Sequence, residues 1–90
     1  MLQRQVTIRN EAGFHIRPAQ LFSEKAGSFQ SAITVKPEDQ DAAIDAKSIL
    51  GLMTLGLSKG AMMTITADGP DEAEAVETLA RLVEEGFGEA

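Results

Sequence analysis

The sequence predicts an α+β fold in which one sheet of four short strands carries three helices on a single face. Three observations predict it. The segments alternate in the order β-α-β-β-α-β-α along 90 residues. Each helical segment has its apolar residues on one side only. No strand segment exceeds about seven residues, so each is read as one face of a half-covered sheet. The length suits one domain spanning residues 1–90. Hydrophobic residues make up 43% of the chain but aromatics only 4%, all of them Phe, so the core must be aliphatic.

The elements follow in order. Leu2, Val6 and Ile8 alternate with Gln3, Gln5 and Thr7, which is strand periodicity, with Arg4 the one polar member of the apolar set. Asn10-Glu11-Ala12-Gly13 reads as a turn. From Pro18 the period changes: Ala19, Phe22, Ala26 and Phe29 form a helical stripe, widened by Leu21, and Pro18 is placed at the first helical position. Gly27-Ser28 stops that helix. Ile33-Thr34-Val35 is the second strand, Pro37 to Asp41 a polar turn, and Ala43-Ile44 a short third strand. Ser48 is a favoured N-cap for a short apolar helix through Leu55, ending at Gly56. Lys59-Gly60 turns into a fourth strand, Ala61 to Ala67, where Met62 and Met63 must face opposite ways. The last helix opens with Asp71, Glu72 and Glu74, which suit its dipole. Its stripe is Ala73, Val76, Ala80 and Val83 with Leu79 and Leu82. Glu84 and Glu85 oppose the dipole at its end, and Gly86 stops it.

The absence of cysteine removes disulfide scaffolds, thiolate zinc sites and cysteine nucleophiles. One histidine and scattered acids fall short of a metal-ligand set, so neither metal nor cofactor is expected. A net charge of −6 argues against nucleic acid as a partner. No segment has a signal-peptide core or the apolar length of a membrane span, so a soluble cytoplasmic protein is expected. The acid lies mid-chain and toward the C-terminus. Arg4, Arg9, Arg17 and Lys25 are opposed in the first third only by Glu11 and Glu24, which leaves that end fit for an acidic partner.

The lone histidine, His15, stands in Gly13-Phe14-His15-Ile16-Arg17-Pro18-Ala19. With an ordinary pKa near ~6.5, imidazole at neutral pH offers a nucleophilic ring nitrogen. Phosphate bound to it can leave again, which suits transfer. Arg17 presents a fork of donors to phosphate oxygens. The helix start supplies free N–H groups and a partial positive charge, expected from Ile16, Arg17 and Ala19 onward. The plainer reading is a solvated cap.

A second segment follows about thirty residues on: Lys47-Ser48-Ile49-Leu50-Gly51-Leu52-Met53-Thr54-Leu55-Gly56-Leu57-Ser58-Lys59-Gly60. With the His15 segment it closely resembles the HPr family, the histidine phosphocarriers of the bacterial phosphoenolpyruvate-dependent phosphotransferase system. The resemblance covers essentially the whole chain. It implies an open-faced sandwich with a four-stranded antiparallel sheet, and a carrier rather than an enzyme. His15 would accept phosphate on Nδ1 from phospho-enzyme I and pass it to IIA domains of sugar permeases, with Arg17 gripping the phosphate. Ser48 matches the family's regulatory serine, the target of a serine kinase/phosphorylase in many bacteria. A phosphate there would sit beside the docking face and weaken docking to enzyme I.

Ile16 stands where the family usually has a small residue, Phe14 where Leu is usual, and the Pro37–Asp41 turn is about two residues longer. Ile16, Gln20, Ile49, Leu50 and Met53 are expected to form an apolar partner-binding patch beside His15, rimmed by Arg17, Lys25 and Lys47. Leu52 is expected in the core. A monomer is expected. Other readings are a nitrogen-branch regulatory carrier of the same family, a small-molecule-binding regulatory module, and a phosphatase using His15; the last lacks a second acid–base group.

Overall fold

The computed structural model describes residues 1–11 and 13–88. Its elements are β1 (Leu2–Thr7), α1 (Ile16–Gly27), β2 (Ala32–Pro37), β3 (Ile44–Asp45), α2 (Ile49–Met53), β4 (Met62–Asp68) and α3 (Glu72–Glu84), then a 3₁₀ turn at Gly86–Gly88. The four strands pair antiparallel in the order β1-β4-β2-β3. Arg4 lies opposite Ile65 and Val6 opposite Met63, while β2 sets Val35 against Ile65. These alternate positions line one face. Val6, Ile33, Val35, Met63, Ile65 and Ala67 are buried under the helices. The other face shows Gln3, Gln5, Thr64 and Thr66 to solvent, so this is the open-faced sandwich with its helices on one side.

The core is mostly aliphatic: Ile8, Leu52, Leu79 and Val83 are fully buried in it together with the large ring of Phe22. Alanines 19, 26, 46, 67, 75 and 80 are also buried, which lets helices and sheet approach closely. Met63 is fully buried and Met62 39% exposed, the split expected of neighbours on a strand. Leu52 is core, as expected.

Several details differ from the sequence reading: β3 is Ile44–Asp45 rather than Ala43-Ile44, α2 stops at Met53 rather than Leu55, and β4 begins one residue later than read. Pro18 is the third helical residue, because α1 begins at Ile16. Any first-turn position tolerates proline, since its N–H would lack an intrahelical acceptor. On α3 the buried residues are Ala75, Val76, Leu79, Ala80 and Val83, and Ala73 is exposed. The stripe is set by contact with β1 and β4 from the second turn onward. In the first turn, Glu72 instead pairs with the chain's amino terminus at 2.8 Å and accepts from the Gly69 N–H at 3.1 Å.

Asp71 joins two layers. At the N-cap position of α3, it turns its carboxylate away from its own helix, accepting from the N–H of Gln30 (2.8 Å), the N–H of Ser31 (3.0 Å) and the buried hydroxyl of Ser31. The Ser31 hydroxyl, followed by the Gln30 N–H, holds the Asp71 carboxyl below its usual pKa. A depressed carboxylate adds stability above its unfolded pKa, near ~3.9, and loses it as pH falls through the folded value. Asp71→Asn should therefore flatten the pH dependence of the urea midpoint below about pH 4. A variant midpoint falling in parallel with native would refute this.

No helix among the described residues is long and apolar enough to cross a membrane.

Candidate functional site: the His15 helix start

The segment between β1 and α1 is built by hydrogen bonds to the chain ahead of β4. Ile8 donates its N–H to the carbonyl of Ala61 and accepts from the N–H of Gly60, both at 2.8 Å. The backbone then reverses at Asn10. Gly13 donates to the Asn10 carbonyl (3.0 Å), and the buried Asn10 side-chain amide donates to the Gly13 carbonyl (2.6 Å). Gly13 sits at φ +75°, and a Cβ there would lie 2.5 Å from the Leu57 carbonyl oxygen. Only glycine meets both conditions. Phe14 donates its N–H to that same carbonyl at 2.8 Å. Its ring is buried, edge-on to Phe22 of α1 at 5.9 Å and to Phe87 at 5.5 Å.

This loop delivers His15 to the N-cap of α1. Its backbone is extended (φ −101°, ψ −165°), and its carbonyl accepts from the Ala19 N–H at 3.0 Å. That bond changes the expected donor set. Ala19 is committed to the helix and Pro18 has no N–H, so Ile16 and Arg17 carry the first-turn N–H groups that helix geometry leaves without an intrahelical acceptor. They sit at the positive end of the helix dipole beside a half-buried imidazole. Arg17 is exposed in the same turn. Lys59 pairs with Glu11 at 2.7 Å, and its ammonium holds the Glu11 carboxyl below the usual range. Both partners are largely exposed, so the pair adds little stability.

The second segment lies along α1. The Ser23 hydroxyl donates to the Lys47 carbonyl (3.2 Å), and Lys47 Nζ donates to the Phe29 carbonyl (2.9 Å) just beyond the end of α1. The Leu57 carbonyl reaches Phe14 at the other end. The stretch holding α2 thus runs antiparallel to α1, with Met53 toward the His15 end. Ser48 lies near Ser23, about 12 Å along α1 from His15. Ser48 is the N-cap of α2, its hydroxyl accepting from the Gly51 N–H at 3.2 Å.

The patch assembles with corrections at its rim. Ile16 is 60% exposed, Leu50 75% and Met53 45%, on two helices packed together. Gln20 is exposed beside them, one turn after Ile16. Ile49 is half-buried and packs on the core, so its side chain is largely spent inward. Lys47 is anchored to the end of α1 through its ammonium. Lys25 leaves the rim altogether. It lies about 200° around α1 from Ser23, in a groove with Leu21, Glu24, Ser28 and Leu82 of α3. Sequence reasoning also missed the supports of the loop: Asn10, Leu57 and Phe87. Asn10 left a signal as a turn residue three positions before Gly13; the other two meet the loop only through tertiary contact.

A family profile described as the PTS HPr component phosphorylation site matches residues 2–85. The chain belongs to the HPr family. A phosphocarrier protein HPr from Cupriavidus necator is 43% identical over 89 residues, covering 99% of this chain and 98% of that protein. A crystal structure of HPr-C-His from Thermoanaerobacter tengcongensis superposes with a TM-score of 0.91 at 41% identity, covering 100% and 99% of the two chains. A structure of an HPr dimer from the same organism gives 0.76 at 42% identity, covering 99% and 100%. An HPr acts as a phosphocarrier in the phosphotransferase system, handing phosphate between partners rather than turning over a substrate. The sequence reading of both fold and family agrees with these matches.

Proposed function

We propose that His15 is the residue through which this HPr-family chain carries phosphate, from phospho-enzyme I to IIA domains of sugar permeases. The observation supporting it is the placement of the imidazole at the N-cap of α1, beside the N–H groups of Ile16 and Arg17. The Nδ1 lone pair attacks the phosphorus of the donor phosphohistidine. The donor N–P bond breaks, its electron pair returns to the donor ring, and a new N–P bond forms on His15. Transfer to IIA is the same step in the other direction. The two N–H groups and the Arg17 guanidinium share the negative charge on the phosphate oxygens. No proton-transfer group is needed, because one ring nitrogen replaces another.

Ile16, Gln20, Leu50 and Met53 form the docking face, with Ile49 beneath it. Burying such a patch transiently against a partner needs no deep pocket. Lys47 contributes by holding α2 on α1. Chain 1–90 works as one domain and as a monomer; equilibrium sedimentation checks the latter, and a dimer at micromolar concentration would refute it.

The deciding experiment incubates the protein with phosphoenolpyruvate and enzyme I. One acid-labile, alkali-stable phosphate per chain is expected on the peptide containing His15. No incorporation, or a phosphate mapped elsewhere, would overturn the reading.

Ser48 is the regulatory position. Its distance from His15 means a phosphate there acts on docking, by placing about two negative charges at the edge of the apolar face. Ser48→Asp keeps a good N-cap while adding a charge. Enzyme I should show a KM for this variant raised about tenfold, equivalent to about 1.4 kcal/mol, with the melting temperature little changed. A KM within twofold of native would remove Ser48 from the docking face.

A further inference from the structure

The 3₁₀ turn Gly86–Gly88 has no part in the sheet or the helix stripes, and it begins after the last residue of the family match at 85. Yet Phe87 is only 5% exposed and holds a left-handed backbone, φ 59° and ψ 24°. It is the one residue other than glycine with positive φ among the described residues. A bulky side chain in that region must be held there by its surroundings. What holds it is the His15 loop. The Phe87 ring meets Phe14 at 5.5 Å with an interplanar angle of 85°. Gly86, itself at φ +68°, lies against Asn10: a Cβ on it would be 3.6 Å from the Asn10 Cβ.

Asn10 and Phe14 are the two ends of the bracket that carries Gly13 and aims His15. Asn10 holds the Gly13 carbonyl, and Phe14 is covalently next to His15. The Phe14 ring is thus gripped by two edge-on contacts, Phe22 from α1 and Phe87 from the C-terminal turn. From these contacts we infer that Phe87 is a positioning residue for phosphoryl transfer. It acts through Phe14 to keep the imidazole at the α1 N-terminus. This rests on His15 being the acceptor. A rigid backing matters because transfer requires in-line approach, and a misplacement of about 1 Å costs up to about a hundredfold in rate.

The test uses two variants of the full chain. Phe87→Gly removes the ring but adopts the left-handed turn freely, so the turn survives. Phe87→Leu restores apolar bulk behind Phe14. Initial rates of phosphorylation by enzyme I are measured per folded molecule, with the folded fraction taken from urea unfolding. Phe87→Gly should lower kcat about tenfold with KM within about twofold, because the docking residues are untouched. It should also shift and broaden the His15 imidazole NMR signals while sheet amides stay in place. Phe87→Leu should recover kcat to within about threefold of native. A Phe87→Gly kcat within twofold of native, or a slow variant with a native imidazole spectrum, would overturn the inference. If native protein fails to take phosphate on His15, the acceptor reading fails instead, and the NMR comparison still reports whether Phe87 positions the imidazole.

Discussion

His15→Ala should take up no phosphate from phosphoenolpyruvate and enzyme I, while its circular dichroism and cooperative unfolding stay native. The expected change is complete because nothing nearby can replace the nucleophile. The chain has one histidine and no cysteine. The serine hydroxyl held by a carboxylate, Ser31 on Asp71, is fully buried, and a phosphate ester on Ser48 or any other serine would in any case survive acid. The fold should tolerate the change, since His15 is half-buried and outside the core. Its backbone carbonyl, which caps α1 through Ala19, is retained. A stability change of about 1 kcal/mol or less is expected. Acid-labile phosphate on His15→Ala at a level near native would end the carrier mechanism as drawn. Loss of folding would show instead that the imidazole is structural.

Gly13→Ala should damage both stability and transfer. Alanine at φ +75° costs about 1–2 kcal/mol for the left-handed backbone. The new methyl would also sit 2.5 Å from the Leu57 carbonyl oxygen and under 3 Å from the Ser58 Cα, both backbone atoms that cannot rotate away. Relief means moving the β1–α1 loop off the segment before β4, at an overpacking cost of about 1–3 kcal/mol. The sum, about 2–5 kcal/mol, should lower the melting temperature of a chain this size by upwards of about 10 °C. The hydrogen bond from Phe14 to Leu57 stretches with the same movement, so His15 leaves its place at the helix start. Phosphorylation by enzyme I should slow well beyond what the unfolded fraction explains. A Gly13→Ala protein melting within 2 °C of native and phosphorylated at the native rate would show that the loop is not held as described.

These two positions mark how far the sequence could be read. His15 was legible because imidazole, guanidinium and helix start fall within four consecutive residues, and local chemistry needs no fold to be recognised. Ser48 was legible as a cap for the same reason. Leu52 against Leu50 could be divided between core and surface only coarsely, because a five-residue helix is too short to show a full period. Lys25 was misplaced because neighbours in sequence on a helix diverge by 100° per residue. The start of α1 was read two residues late because proline suits any position of a first turn.

Sequence by itself determined the order of elements, the aliphatic composition of the core, the placing of one imidazole and one guanidinium at a helix start, and membership of a phosphocarrier family. Those properties reside in periodicity, residue chemistry and short motifs, all local. Only the tertiary structure decided that the Leu57 carbonyl forbids a side chain at position 13. Only the tertiary structure set α2 antiparallel along α1, with Ser48 far from His15, and brought Phe87 behind Phe14 across more than seventy residues. Each of these is a contact between segments distant in the chain, and no local pattern encodes the partner. The physical reason is that packing and hydrogen bonding choose among many compatible local conformations, and they choose only once the sheet has brought the loops together.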